Sequence, residues 1–520
     1  MNALTIRRTL FIGALAIALT VAATLVGCAV NDPLGQTELQ AIGSSSADET
    51  SSYCAPLPSD PLPESERYRG LTEPGFVATS DNACSTLSAD VDTASYCNLR
   101  RMAADGYAPI DVPADAVRTE ELLNYFDYGY PTPDDGDMFG ISAQVGDCPW
   151  NDETKLLVMG FATEPADYAA STGSNLVFLI DTSGSMDEPD KLPLLKGAFA
   201  TLVEGLDEHD RVSIVTYASG EHVVLEGASG SDKQRILHAV ESLTAAGATN
   251  GEAGLERAYD MAERSFIEGG VNRIVMASDG DLNVGISSTE ELHRYVERKR
   301  ESGVYLSVLG FGSASYQDAK METLADHGNG VYHYIDCVEE AKRVLCKNLR
   351  ANLAPLADDV KVQVVFDPAQ IESYRLIGYE NRRLASEDFR DDCADAGEVG
   401  AGHSFTVAYE IIPAEAADGA WLTCAMRYRP SGSSEHAEQS FVLDASSYDA
   451  QPGEDWILAA SVIECSMALQ RSPFVGTASF ESARELLSDI ALDDERRGLY
   501  DLLVAFAERD AATRRFEPVR

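Results

Sequence analysis

The stretch 175–186, NLVFLIDTSGSM, constrains the fold of this chain more than any other. Leu176 to Ile180 form an unbroken apolar run that closes on Asp181, and hydroxyl and glycine residues follow at once. A short apolar run bounded by turn residues is the pattern of a strand buried on both faces, at the centre of a parallel sheet. In open α/β sheets, ligands bind beyond the carboxyl ends of such strands. Asp181, Ser183 and Ser185 offer only oxygen there, the donor set that suits a hard cation such as Mg²⁺. Taken alone, the stretch also fits a second reading, in which the aspartate and serines cap a helix beginning near Lys191.

Residues 174–352 carry that strand into a regular alternation. Apolar runs mark strands over 176–181, 212–217, 222–225, 273–278, 305–311 and 331–335. Helical periodicity marks 191–206, 233–243, 251–266, 289–302, 317–327 and 339–352. The expected fold class is α/β, a doubly wound, Rossmann-like domain of six strands. Two more polar loops fall at the same sheet edge: GATNGEAG, with Thr249, and ASDGDLN, with Asp279.

D-x-S-x-S at 181–185, the threonine loop at 249 and Ser-Asp-Gly at 278–280 resemble the three motifs of the von Willebrand factor A domain and its metal-ion-dependent adhesion site. The resemblance implies that Ser183, Ser185 and Thr249 meet a Mg²⁺ or Mn²⁺ ion directly, while Asp181 and Asp279 act largely through water. It also implies a binding role, in which a carboxylate from a protein partner completes the shell of the ion. Neutral hydroxyl ligands suit that role, because they leave the ion electrophilic with one position open.

The flanks differ in composition. Arg7 and Arg8 precede an apolar segment that ends in Leu25-Val26-Gly27-Cys28, so 1–28 looks like a bacterial lipoprotein signal, with cleavage before an acylated Cys28. Residues 29–76 are rich in Ser, Asp, Glu, Thr and Pro and read as a disordered tether. An α+β region over 77–170 precedes the central domain; alternating strands of a sandwich follow over 354–450, and helices over 451–520 close the chain. STLSADVDTASYCNLRR, EELLNYFDYGYP and CPWN before the domain, with RLIGYENR and DAGEVGAGH after it, resemble the bacterial YfbK-type family of surface A-domain proteins. A chain that leaves and re-enters around an inserted domain is expected to build one sandwich from both flanks.

Within the flanks, Asp115 is expected to cap a short helix ending near Tyr125. Asp90 and Asp92 lack the glycine and glutamate of a calcium loop and read as an exposed turn. Arg382 and Arg383 could hold a carboxylate but read first as solvated, and His327 and His333 read as core or surface residues. Export implies an oxidising or neutral compartment, where Cys393 and Cys424 are the first pair to test for a bond. Cys337 reaches Cys346 only if it precedes the helix that follows.

With 85 acidic against 40 basic residues and a formal charge of -45, the chain repels phosphate backbones, which argues against a nucleic-acid partner. The sequence thus reads as a lipid-anchored protein on the extracytoplasmic face of a cell or outer membrane, capturing an acidic protein side chain through a divalent ion. One alternative is a metal-assisted hydrolase, another a factor that assembles or regulates an envelope complex. The hydrolase reading lacks a base, for no histidine falls in the three polar loops, and neither G-x-S-x-G nor a P-loop occurs.

Overall fold

The computed structural model describes residues 68–516, apart from 135, 166–171, 248–250, 281–288, 313–316, 349–354, 395 and 416. Cys28, the tether up to residue 67 and Thr249 therefore lie outside the described residues. The chain divides into Met1–Pro56, none of it described, and Leu57–Arg520, to which everything below refers.

Strands β1 (Val77–Ala78) and β2 (Cys84–Ser88) lead into helices α1 (Ala94–Ala104) and α2 (Thr119–Asn124), then β3 (Phe139–Asp147) and β4 (Lys155–Thr163). The central domain opens with β5 (Ser174–Asp181), α3 (Leu192–Gly205), β6 (Arg211–Tyr217), β7 (Glu221–Ser229), α4 (Lys233–Glu241) and α5 (Gly251–Arg264). It continues through β8 (Val271–Ser278), α6 (Thr289–Arg300), β9 (Tyr305–Phe311), α7 (Asp318–His327), β10 (Tyr332–Ile335) and α8 (Val338–Lys342).

The six strands expected from the sequence form one sheet in the order β10-β9-β8-β5-β6-β7, parallel except at the edge strand β7. Every residue of β5 after Ser174 is buried, as its apolar run requires. On one face Phe178 packs against Phe199 of α3, ring centroids 4.6 Å apart; on the other, Val177 and Leu179 share a core with Leu255 and Tyr259 of α5. The chain winds from β5 outward through β6 and β7, then returns to β8 on the opposite side of β5. The carboxyl ends of β5 and β8 thus flank the switch point, where this kind of sheet leaves a crevice for a ligand.

The later strands are β11 (Pro355–Phe366), β12 (Ile371–Ile377), β13 (Arg383–Leu384), β14 (Gly397–Gly400), β15 (Ser404–Pro413), β16 (Ala420–Pro430) and β17 (Ala437–Asp444). They join the early strands in two sheets, β1-β12-β15-β4-β3 and β13-β2-β11-β16-β17, with β14 paired to β11. Both flanks build the one sandwich: Val158 of β4 stands opposite Ala408 of β15, and Leu87 of β2 opposite Val362 of β11. Alternation supplies the core, as in β16, where Leu422, Cys424, Met426 and Tyr428 are buried. Helices α9 (Glu454–Gln470), α10 (Phe480–Leu487) and α11 (Asp494–Phe516) end the described chain. A single apolar core runs from Tyr259 and Tyr334 of the central domain through Tyr96, Tyr125 and Trp150 to Trp456 and Phe506.

Several expectations in the flanks give way. Asp115 caps no helix; α2 starts at Thr119, and the Asp115 carboxylate accepts the Leu71 N–H at 3.0 Å. That bond also pins the end of the expected tether, where Glu73 pairs with Arg375 at 2.8 Å. Asp90 and Asp92 are buried rather than in an exposed turn, and Arg382 is paired rather than solvated. Its Nη2 lies 2.8 Å from Asp326 and 3.4 Å from both Asp90 and Asp92, while the exposed Arg383 fits the sequence reading. Cys393 and Cys424 are both free thiols, because Cys424 faces the sandwich core and Cys393 sits in an exposed turn. Cys337 does precede α8, as its N-cap, and is likewise free.

Candidate metal centre

β5 ends in Asp181, and β8 ends in Ser278 with Asp279 next. Asp181, Ser183 and Asp279 are buried, whereas Ser185 is exposed. The Asp181 carboxylate accepts the Ser183 N–H at 2.8 Å and the Ser278 hydroxyl at 3.5 Å. A 3₁₀ turn over Gly184–Asp187 follows, and the Ser183 and Ser185 hydroxyls come within 3.0 Å of each other. The spacing D-x-S-x-S thereby gathers one carboxylate and two hydroxyls at the mouth of the crevice.

Backbone hydrogen bonds tie the threonine loop to this turn. The Ala246 N–H donates to the Thr182 carbonyl at 2.7 Å, and the Gly184 N–H to the Gly247 carbonyl at 3.1 Å. Gly247 has φ +95°, and a Cβ there would fall 2.4 Å from the Ser219 hydroxyl, so the turn calls for glycine. Asp181, Ser183, Ser185 and Asp279 are thus brought to one corner; Thr249 itself lies outside the described residues, two positions beyond Gly247.

Lys191, which sequence reasoning took only as the start of a helix, belongs to the same corner. It is buried, and its Nζ donates to the Ser185 carbonyl at 2.9 Å and to Asp279 Oδ2 at 3.1 Å. A signal was present in the sequence: Lys191 is the only basic residue between Asp181 and Lys196, and it follows Asp187-Glu188-Pro189-Asp190.

Burial drives the Asp181 carboxyl up to about 6; the hydrogen bonds from Ser183 pull it back, and the nearby Asp279 carboxylate pushes it further up. Among the described residues, two buried carboxylates stand beside one ammonium here, and burying charge is costly unless opposite charge answers it. The donors here are carboxylate and hydroxyl oxygens, a set that fits Mg²⁺ or Mn²⁺ and not a thiophilic metal.

Two other clusters of candidate ligands occur among the described residues, and each already holds a guanidinium. In the cluster of Asp90, Asp92 and Glu121, the two aspartates pair with Arg382 and Glu121 with Arg118, while Cys97, Asp336 and Glu340 surround Arg100, whose Nε and Nη2 both lie 2.6 Å from Asp336 oxygens. These clusters join the flank to the central domain. His333 is buried against the Thr93 hydroxyl at 3.1 Å, and burial lowers its imidazole to about 3, so it stands there neutral. His327 pairs with Glu297 at 2.8 Å.

Residues 175–344 match the family model of the von Willebrand factor type A domain. Residues 351–509 match the one described as "Uncharacterized protein YfbK, C-terminal", and residues 62–158 one described as "von Willebrand factor". The protein YfbK of Escherichia coli (strain K12) is 42% identical over 356 residues, 67% of this chain and 61% of that protein. This chain is a YfbK-type von Willebrand factor A protein. It spans less than two thirds of the length of that relative. The YfbK-type chain is also 30% identical to human inter-alpha-trypsin inhibitor heavy chain H3 over 165 residues, 30% of this chain and 18% of that one. Among solved structures, a von Willebrand factor type A protein from Catenulispora acidiphila covers 75% of this chain and 90% of its own, with 16% identity and a TM-score of 0.42.

Proposed function

We infer that this YfbK-type chain is a metal-dependent capture module, in which Asp181, Ser183, Ser185, Thr249 and Asp279 hold Mg²⁺ or Mn²⁺ and an acidic side chain of a protein partner docks on the ion. The observation that carries this reading is the oxygen-lined corner at the β5–β8 switch point, where two buried carboxylates face one ammonium. When bound, the ion supplies an electrophilic centre for a carboxylate. The chain does the rest. Asp181 holds the Ser183 backbone in place, Ser183 and Ser185 present hydroxyls side by side, and the exposure of Ser185 leaves the corner open to a macromolecule.

The same geometry speaks against the hydrolase alternative. A serine nucleophile needs a base to take its proton. The amine nearest the serines, that of Lys191, donates to a carbonyl and a carboxylate and so serves as a donor instead.

The proposal extends to location: acylation at Cys28 would hold the module on the extracytoplasmic face of a cell or outer membrane. Its support is the basic segment at Arg7 and Arg8, the apolar stretch and the Leu25-Val26-Gly27-Cys28 pattern. Cys28→Ser is expected to move the protein from the membrane to the soluble fraction on fractionation; retention of that variant in the membrane would speak for an uncleaved apolar anchor instead.

Affinity capture from envelope extract, with Mg²⁺ or with EDTA, tests the binding role. Wild type with Mg²⁺ should retain a partner that Ser183→Ala fails to hold and that EDTA releases. Capture indifferent to EDTA would count against the whole reading.

A further inference from the structure

Lys191 is built into the corner. Its side chain is 4% exposed, and its stem passes by Gly312, where φ is +67° and a Cβ would fall 2.2 Å from Lys191 Cε. A glycine at 312 therefore makes the room that this lysine occupies. The ammonium then spans two loops, donating at 2.9 Å to the Ser185 carbonyl after β5 and at 3.1 Å to Asp279 Oδ2 after β8. It rests on one of the carboxylates that the proposed function assigns to the divalent ion.

We propose that Lys191 is the resident counter-cation of the site, against which a divalent ion must compete for the field of Asp279, so that this residue sets the metal affinity and with it partner capture. The inference rests on the metal reading above. Without the ion, Lys191 neutralises one of the two buried carboxylates and keeps the loops after β5 and β8 together. With the ion, the charges of Asp181, Asp279, Lys191 and the metal sum to one positive charge, which draws an incoming carboxylate more strongly than a neutral corner would. The affinity of the ion is lowered in exchange, since two like charges repel across a buried corner. Capture then follows the concentration of free divalent ion.

The test uses Lys191→Gln, which keeps a donor for the Ser185 carbonyl and removes the charge. Mn²⁺ is titrated into the EDTA-stripped full chain and followed by the spectroscopic signal of free Mn²⁺; thermal unfolding is recorded with and without the same Mn²⁺ concentration. The variant should bind Mn²⁺ at least ~10-fold more tightly than wild type. Its unfolding midpoint should also rise more on adding Mn²⁺, because a tighter ligand stabilises more by mass action. The thermal readout decides the matter even for a variant that is only marginally stable without metal. Mn²⁺ affinity equal to or weaker than wild type, with a midpoint rise no larger, overturns the role of Lys191 and marks it as a purely structural brace. A wild-type chain that binds no Mn²⁺ overturns the metal reading itself and this inference with it.

Discussion

At the residue scale, the behaviour of this chain is set by how each buried charge is answered. Asp92 takes the Tyr332 N–H at 2.8 Å and shares Arg382, and Arg118 lies 2.6 Å from Asp318. Glu464 is answered less fully: it is buried in α9, accepts only the Ser482 hydroxyl at 2.5 Å through Oε2, and keeps Oε1 without a hydrogen bond. Burial pushes its carboxyl up to about 7 from an ordinary 4.5. The folded chain therefore holds this proton more tightly than the unfolded one does. The stability it contributes is complete below pH 4.5 and is lost as pH rises through about 7. Glu464→Gln should make urea stability less dependent on pH between 5 and 8 and raise it at pH 8 by up to about 3 kcal/mol. An equal loss at both pH values would contradict this assignment.

At the element scale, local pattern and long-range contact part company. The apolar run before Asp181 announces β5, and the alternation of strand and helix announces the doubly wound sheet, because both signals lie within a few residues of one another. The loops carrying Ser183, Ser185 and Asp279 were legible for the same reason: each directly follows a readable strand. Arg382 was not, since its partners Asp90 and Asp92 lie 292 and 290 residues away. Lys191 escaped notice because its meaning depends on Asp279, 88 residues on, and on a gap at Gly312 that no periodicity reveals. Gly160 in β4 is a comparable case. The ring of Tyr130 lies where a Cβ would stand, 2.2 Å away, and its hydroxyl meets the Thr406 hydroxyl at 2.8 Å on the neighbouring strand. Gly160→Ala should displace that ring and cost about 1–3 kcal/mol in urea unfolding; an unchanged midpoint would show that the ring shifts freely.

At the scale of the whole molecule, the central domain is framed by its flanks. Strands from before and after it pair with one another in both sheets of the sandwich, and the core on the α5 side of its sheet continues into α1, α9 and α11. Guanidinium pairs lock the same junction: Arg100 of α1 reaches Asp336 at 2.6 Å, and Arg118 reaches Asp318 of α7. The frame presents one candidate corner, at the carboxyl ends of β5 and β8, and the account stands or falls on whether that corner holds a divalent ion. The most direct measurement is equilibrium binding of Mn²⁺ to the EDTA-stripped chain, wild type beside Asp181→Asn and Ser183→Ala. The account predicts one Mn²⁺ per wild-type chain, displaced by Mg²⁺, with affinity lost in both variants. No bound Mn²⁺ in the wild type, or equal binding in all three proteins, would contradict it.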